Sequence, residues 1–420
     1  MRKLIIIFIT IFNSPFLLFA QEQITLDSCI NAAYNNLEFT IQAGFINEGR
    51  TYAMEGNNHY NLPSFDVNAS ASIQNEQISI PVALPGFEAP VAPLNFNRVL
   101  VNFNQTIYNG NLAAKKKVID SLQYDEQLQA LEIDKIKIKS QVIGVYATLM
   151  VVKTNKEILE GHINVLEKKY KQLQGAVEGG VSTRSKLQVL EAERLKLRQR
   201  KTELSFNETA LLSTLNNYTG LTLATETKLV NPNPKLKEST SINRPELLLI
   251  DAKLEGLNAK YNLAGNARLP YVGLFGSIGV GNPGYDIFNP EVRPMAMAGI
   301  AVKWNIWDWN KSNNDKAQLV IGQSVLRQQR TRAELAFERE LIKQRSEINK
   351  YTQLITTDDE IIVAQQNVSK SMSSELMNGT ATASDYTAQL NTESAAKLNK
   401  ELHQIQLILA ILTYNTLKGN

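Results

Sequence analysis

Leu131, Ile138, Val145, Val152, Leu159, Leu166 and Leu173 recur at a strict seven-residue step inside a run from Asn111 to Gln174 that contains no proline. Few folds can accept such a run. Leu128, Val142, Leu149, Ile163 and Tyr170 accompany it at the partner positions, while Lys135 and Lys156 interrupt that second row. A seven-residue apolar repeat keeps one seam facing a partner helix only if the helices supercoil left-handedly. After Gly179-Gly180 the residues Leu190, Leu197, Leu204 and Leu211 mark another seven-residue step, which predicts a second helix lying antiparallel to the first. A helix of this length spans roughly 100 Å at 1.5 Å per residue, more than a compact globular domain uses.

The pattern occurs twice. Ile107-Tyr108-Asn109-Gly110-Asn111 and Ile306-Trp307-Asp308-Trp309-Asn310 are separated by the same offset as Gly180 from Gly379 and Ser185 from Ser384. One offset at separated places argues for internal duplication. Lys311 to Asn378 is again free of proline, and a last helix is expected from about Ser384 to Leu417. The chain therefore divides into a first repeat over 21–217, with a helix, a β-hairpin at about 63–107 and long helices; an irregular linker over 218–243; and a second repeat over 244–420, with its hairpin at about 270–306. Pro232, Pro234 and Pro245 punctuate the joint, which is expected on the outside of a helical cylinder.

Within the first hairpin Phe65, Val67, Ala69, Ala71 and Ile73 alternate with Asp66, Asn68, Ser70, Ser72 and Gln74, and Val99, Val101, Phe103 and Ile107 resume the alternation after a loop carrying Pro81, Pro85, Pro90 and Pro93. Period-2 alternation predicts strands with one apolar and one polar face. The second hairpin offers Tyr271 to Val280, then Ala296, Ala298, Ile300, Val302, Trp304 and Ile306 opposite Lys303 and Asn305. Four such strands cannot close a membrane barrel, because the smallest use about eight and open edges are not tolerated in lipid. Oligomerisation follows, though two, three or four copies would each give a closed strand count.

Arg2 and Lys3, the apolar stretch Leu4 to Phe12 and Leu18-Phe19-Ala20 before Gln21 read as a cleaved signal peptide over 1–20. Asn13, Ser14 and Pro15 interrupt the stretch short of a membrane span. Forty-four Lys+Arg against 41 Asp+Glu leave a net charge of +3, too little for a nucleic-acid partner. Cys29 stands alone and has two readings, a buried helix residue or a lipid-modified one. His59, His162 and His403 lack metal-ligand spacing, and no nucleophile elbow, Walker loop or dinucleotide fingerprint occurs. Neither enzyme chemistry, nor a cofactor, nor a metal is expected.

Asn243-Arg244-Pro245-Glu246-Leu247, Leu269-Pro270, Tyr108-Asn109-Gly110, the Gly180 and Gly379 turns and the stretch Leu26 to Asn36 together resemble the TolC-type outer-membrane efflux family, in order and over essentially the whole chain after the signal segment. The resemblance implies a membrane β-barrel continued by a long α-helical coiled-coil barrel: a homotrimer with four strands per subunit and a twelve-stranded barrel in the outer membrane of a Gram-negative bacterium, whose helices extend into the periplasm. It also implies a passive export duct of an efflux or type I secretion system that docks on a periplasmic adaptor protein and an inner-membrane transporter. A soluble periplasmic coiled-coil adaptor or structural protein is the competing reading. It explains the helices but has no use for alternating strands with aromatic ends.

The turns Gly180-Val181-Ser182 and Gly379-Thr380-Ala381 are the expected adaptor-docking tips. Trp304, Trp307 and Trp309, with Tyr108, form either an aromatic interface with lipid or packing between barrel and helix root. Asp385 matches a position where the family places an acidic ring at the periplasmic gate. The first repeat departs from the family there and has Lys186, so a charged ring, a Lys186–Asp385 pair or two solvated charges all remain open. Trp307-Asp308-Trp309 also departs, since the family commonly has glycine after the Asp or Asn.

Overall fold

The computed structural model describes residues 23–81, 86, 89–237 and 241–419; the predicted signal segment lies outside them. Thirteen elements follow one another: β1 (Gln23–Ile24), α1 (Leu26–Asn36), α2 (Phe39–Gly56), β2 (Ser64–Ile73), β3 (Asn95–Tyr108), α3 (Leu112–Glu178), α4 (Arg184–Thr219), β4 (Lys228–Leu229), α5 (Pro245–Ala264), β5 (Tyr271–Asn282), β6 (Arg293–Lys303), α6 (Lys311–Asn378) and α7 (Ala383–Leu417). Short 3₁₀ turns at Asn57–Asn61 and Gly265–Arg268 link α2 and α5 to the strands.

The heptad leucines of α3 form the seam the sequence predicts. Leu166 and Leu173 pack fully buried with Leu190 and Leu376, joined by Leu159, Leu197, Leu204, Ala383, Tyr386 and Leu390. A second core lies nearer the middle of the long helices, where α1 lays Leu26, Cys29, Ile30 and Ala33 against Val142, Tyr146 and Leu149 of α3 and Leu212 and Leu215 of α4. Cys29 is fully enclosed there, and burial pushes its thiol up to about 11. The Tyr146 hydroxyl lies 2.9 Å from the Ile24 carbonyl oxygen and 2.8 Å from that of Val230, clamping the parallel β1–β4 pair onto the outside of α3.

The seven-residue step predicted through Leu211 weakens there, since Leu211 packs against the second core but is only partly buried. Beyond Leu204 the buried positions of α4 are Glu208, Leu212, Leu215 and Thr219, steps of four, four, three and four. That mean step exceeds the 3.5 residues per turn of a left-handed supercoil. Glu208 enters because α3 supplies its partners: its carboxylate is almost fully enclosed, 3.2 Å from Lys153 and 2.8 Å from Lys156. Lys156, which interrupts the apolar row in the sequence, is thus one of two half-buried lysines that pair with a buried carboxylate.

The four longer strands form one antiparallel sheet in the order β2-β3-β5-β6, joined at its centre by pairing between the two repeats. β6 ends at Lys303, so the strand predicted to continue through Trp304 and Ile306 stops short. Just past its end the Trp304 indole N–H donates to the Arg268 carbonyl oxygen at 3.1 Å. The two hairpin-to-helix corners nevertheless match. Gly110 and Asn111 take left-handed φ of 69° and 61°, and Trp309 and Asn310 take 51° and 65°. A tryptophan therefore holds a conformation that glycine adopts without cost.

Candidate functional site

Register decides what the sheet can do. Phe65, Val67 and Ala69 on β2 stand directly opposite Phe103, Val101 and Val99 on β3; these meet Gly276, Ile278 and Val280 on β5, which meet Ala298, Ala296 and Pro294 on β6. Directly opposed residues share a face, so one side of all four strands is apolar. That side is bare: Phe65, Val67, Ile278, Ile300 and Val302 are each more than 60% exposed. The opposite side carries Asp66, Asn68, Ser70, Asn102, Asn104 and Ser277, with Asn102 donating to Asp66 at 2.8 Å. A water-soluble sheet covers its apolar face; a membrane barrel shows it to lipid and turns the polar face inward. β2 and β6 each leave one edge unpaired within the chain, which lipid does not tolerate.

At the helix end of the sheet Trp304, Trp307 and Trp309 are 58%, 71% and 84% exposed, with Tyr108 also exposed. Trp307 and Trp309 meet edge to face with ring centroids 5.9 Å apart. In the single chain these aromatics stand exposed beside the apolar sheet face. Below them Asp308 caps α6: it accepts from the Ser312 amide at 3.0 Å and from the Ser312 hydroxyl, and pairs with Arg268 at 3.0 Å. The Arg268 and Ser312 hydrogen bonds hold its carboxyl well below the usual carboxylate range.

The two helical turns correspond bond for bond. Val181 and Ser182 donate their amides to the Ala176 carbonyl, at 2.8 and 3.1 Å, as Thr380 and Ala381 do to that of Glu375, at 3.0 and 3.3 Å. Gly180 and Gly379 take φ of 73° and 79°, the left-handed residue that ends many helices. Val181 is 83% exposed, Ser182 is half-buried and Thr380 is exposed, while Ala381 turns inward and is buried.

Past the turns the two repeats diverge. The Thr382 hydroxyl accepts from the Asp385 amide at 3.1 Å, and the Asp385 carboxylate accepts from the Thr382 hydroxyl at 2.6 Å and its amide at 3.2 Å. This reciprocal cap lowers the pKa of Asp385. Thr183 and Lys186 hold the matching positions, and α4 has no side-chain cap. Lys186 and Asp385 form no ion pair with each other among the described residues. The Thr-x-x-Asp spacing at 382–385 was the legible signal of the cap.

A polar junction between the two helical hairpins escaped the sequence reading. Buried His162 on α3 shares a 3.1 Å hydrogen bond between Nδ1 and the Ser394 hydroxyl on α7, and Asn391 on α7 donates to Glu193 on α4 at 2.9 Å. Burial lowers the His162 pKa against the pull of Glu193 and Glu393. Nothing in local spacing announces these partners, since they come from different repeats. Among the described residues no group of three His, Cys, Asp or Glu is placed to hold a metal ion, and no helix is long and apolar enough to cross a membrane.

No family model matches the chain, and no curated protein matches it by sequence. Solved structures do match its fold. It is similar to the CmeC outer membrane channel of Campylobacter jejuni at 15% identity and a TM-score of 0.69, covering 94% of this chain and 85% of that one. The outer membrane protein VceC of Vibrio cholerae aligns at 14% identity and a TM-score of 0.70, over 93% and 95% of the two chains. The MtrE outer membrane channel of Neisseria gonorrhoeae aligns at 12% and 0.71, over 94% and 89%. The fold is that of the TolC-type outer-membrane channels, and the resemblance read from the sequence holds at the level of fold along nearly the whole chain.

Proposed function

We propose that this chain is the outer-membrane subunit of a passive export duct, three copies of which close a twelve-stranded barrel and a helical tunnel reaching into the periplasm of a Gram-negative bacterium. The observation that carries the reading is the bare apolar face spanning all four strands, flanked by two open edges: β2 of one copy can pair with β6 of the next. The internal duplication supports it. α5 packs both on α6 of its own repeat and on α3 of the first repeat. α2, the counterpart of α5, packs on α3 and leaves Ile41, Phe45 and Tyr52 exposed on its other side. Repeating the α3–α5 packing between copies puts this stripe on a neighbour's α6 and closes the ring.

In this reading Trp304, Trp307, Trp309 and Tyr108 sit at the lipid headgroups. The turns at Gly180 and Gly379 meet a periplasmic adaptor that couples the duct to an inner-membrane transporter, which supplies the energy. Asp385 and Lys186 lie just inside the periplasmic mouth, where Asp385 serves first to cap α7. The chain catalyses nothing and needs no cofactor. A soluble adaptor would leave the apolar sheet face in water at a large free-energy cost.

Native mass spectrometry of detergent-extracted outer membranes tests the assembly. A trimer is expected; a stable monomer in mild detergent, or a soluble periplasmic pool, overturns the reading.

A further inference from the structure

Ser70 on β2, Arg98 on β3, Gly281 on β5 and Arg293 on β6 stand directly opposite one another in a single row across the sheet. Strand alternation puts all four on the polar face, one residue removed from the apolar positions Val99 and Val280. The row lies toward the hairpin turns, remote from the helices, because Arg98 is near the start of β3 and Arg293 opens β6.

Gly281 makes room for it. A Cβ at this position would lie 3.1 Å from Cγ of Arg98 and 2.7 Å from Sδ of Met295, so the missing side chain is the groove in which the Arg98 stem rests. The Arg98 guanidinium carbon is 5.8 Å from the centroid of the Phe96 ring, its Nε is shielded without a hydrogen-bond partner, and it makes no ion pair among the described residues. Arg293 meets Glu291 at 3.2 Å in an exposed pair, which salt screens readily. Glu76 and Asp286 are the other described carboxylates toward this end, and Asp66 lies farther along the polar face.

We propose that Arg98 and Arg293 form an anion-binding ring inside the outer mouth of the barrel, which takes multivalent anions and favours the exit of cargo bearing phosphate or carboxylate groups. The inference rests on the duct reading above. Strands lie about 4.8 Å apart, so two arginines separated by one intervening strand are roughly 10 Å apart, near the screening length at physiological salt. Their fields overlap. Repeated in every copy, the row makes a belt of guanidinium groups at one level of a water-filled pore, and such belts concentrate counter-ions. Guanidinium keeps its charge at every physiological pH, and its planar fork matches carboxylate and phosphate oxygens.

Planar-bilayer recording of the purified trimer tests this with inositol hexakisphosphate, a compact polyanion, added to the barrel side. The wild-type channel should be blocked at concentrations on the order of tenfold lower than the Arg98→Ser/Arg293→Ser channel. The reversal potential in a KCl gradient should shift toward cation selectivity in that variant, and Arg98→Lys/Arg293→Lys should retain most of the block. Conducting channels with the same block and reversal potential in wild type and serine variant overturn the ring and leave the duct standing. A wild-type trimer that forms no channel overturns both.

Discussion

Helices α3 and α6 occupy equivalent places in the two repeats and differ by one residue in length, yet they bury different amounts of themselves. α3 encloses thirteen residues, most of them large and apolar; α6 encloses five, of which Ser312, Asp358 and Ser369 are polar. α6 instead exposes Val320, Ile321, Val325, Leu335, Ile342, Ile361, Val363 and Val368. Both sequences are proline-free and both form unbroken helices. The difference is in partners: α3 is covered by α1, α2, α4, α5 and α7, whereas α6 meets chiefly α5 and α7. Duplication supplies two sets of surfaces, and one chain can satisfy only one set against itself. The apolar stripe on α6 is what a neighbouring copy would cover.

The largest effect should come from charging that stripe. At Gly256 α5 comes close to Glu126 of α3, and the position of α6 that matches Glu126 by the internal offset is Val325. Val325→Glu with Ile342→Glu should abolish the trimer in native mass spectrometry while circular dichroism of the isolated chain stays helical. Leu166→Ala on α3 should do the reverse, costing the single chain roughly 2–5 kcal/mol through the cavity it opens and leaving the surface for assembly intact. Loss of single-chain helicity in the α6 variant would break the distinction between the two helices.

The corners before α3 and α6 sharpen the same comparison at smaller magnitude. A Cβ at Gly110 would lie 2.5 Å from Cδ1 of Leu269, in addition to the left-handed φ, so Gly110→Ala should destabilise by about 1–3 kcal/mol. Trp309→Gly relieves the φ strain of the matching corner and should change thermal stability by about 1 kcal/mol or less, the exposed indole contributing little to the isolated chain. Equal destabilisation by the two substitutions would mean that the Trp309 ring is bound into the fold.

The smallest expected effect separates the N-termini of α4 and α7. The Thr382 hydrogen bonds hold the Asp385 carboxyl below the ordinary aspartate range, so its contribution is present above that range and is lost as pH falls through the lower folded pKa. Hydrogen-exchange protection of the first turn of α7, taken relative to the intrinsic rate at each pH, should fall below about pH 4 and in Thr382→Ala at neutral pH, while protection of the first turn of α4, which has no such cap, should show neither change.

Much of the fold was legible because it is periodic. Helix lengths, the strand alternation and the duplication followed from steps of seven, two and one constant offset, and these are local properties of any L-polypeptide. Leu211, only partly buried, and Ile306, beyond the end of β6, mark where that reading gives out. A seven-residue count cannot foresee that Glu208 finds two lysines on another helix, and strand alternation cannot foresee that Trp304 finds the Arg268 carbonyl. The two turns could be located by spacing and Asp385 was singled out by the family resemblance, whereas its role as a cap lay in the Thr-x-x-Asp spacing, which that reading passed over.

By itself the sequence determined that the chain makes long supercoiling helices and strands with one apolar face, because helix and strand periods are set by backbone geometry and the apolar positions obey them. Tertiary structure alone decided how those faces line up. The order β2-β3-β5-β6 and its register bring an apolar row of each of the four strands onto one bare surface, with Leu100, Phe275, Met295 and Met297 left among the polar residues of the other face, and set Arg98 level with Arg293, although they lie in different repeats. It also decided which of two equivalent helices is covered. Both outcomes depend on pairing between segments far apart in the chain, and the free energy of such pairing belongs to the two surfaces in contact rather than to either segment alone.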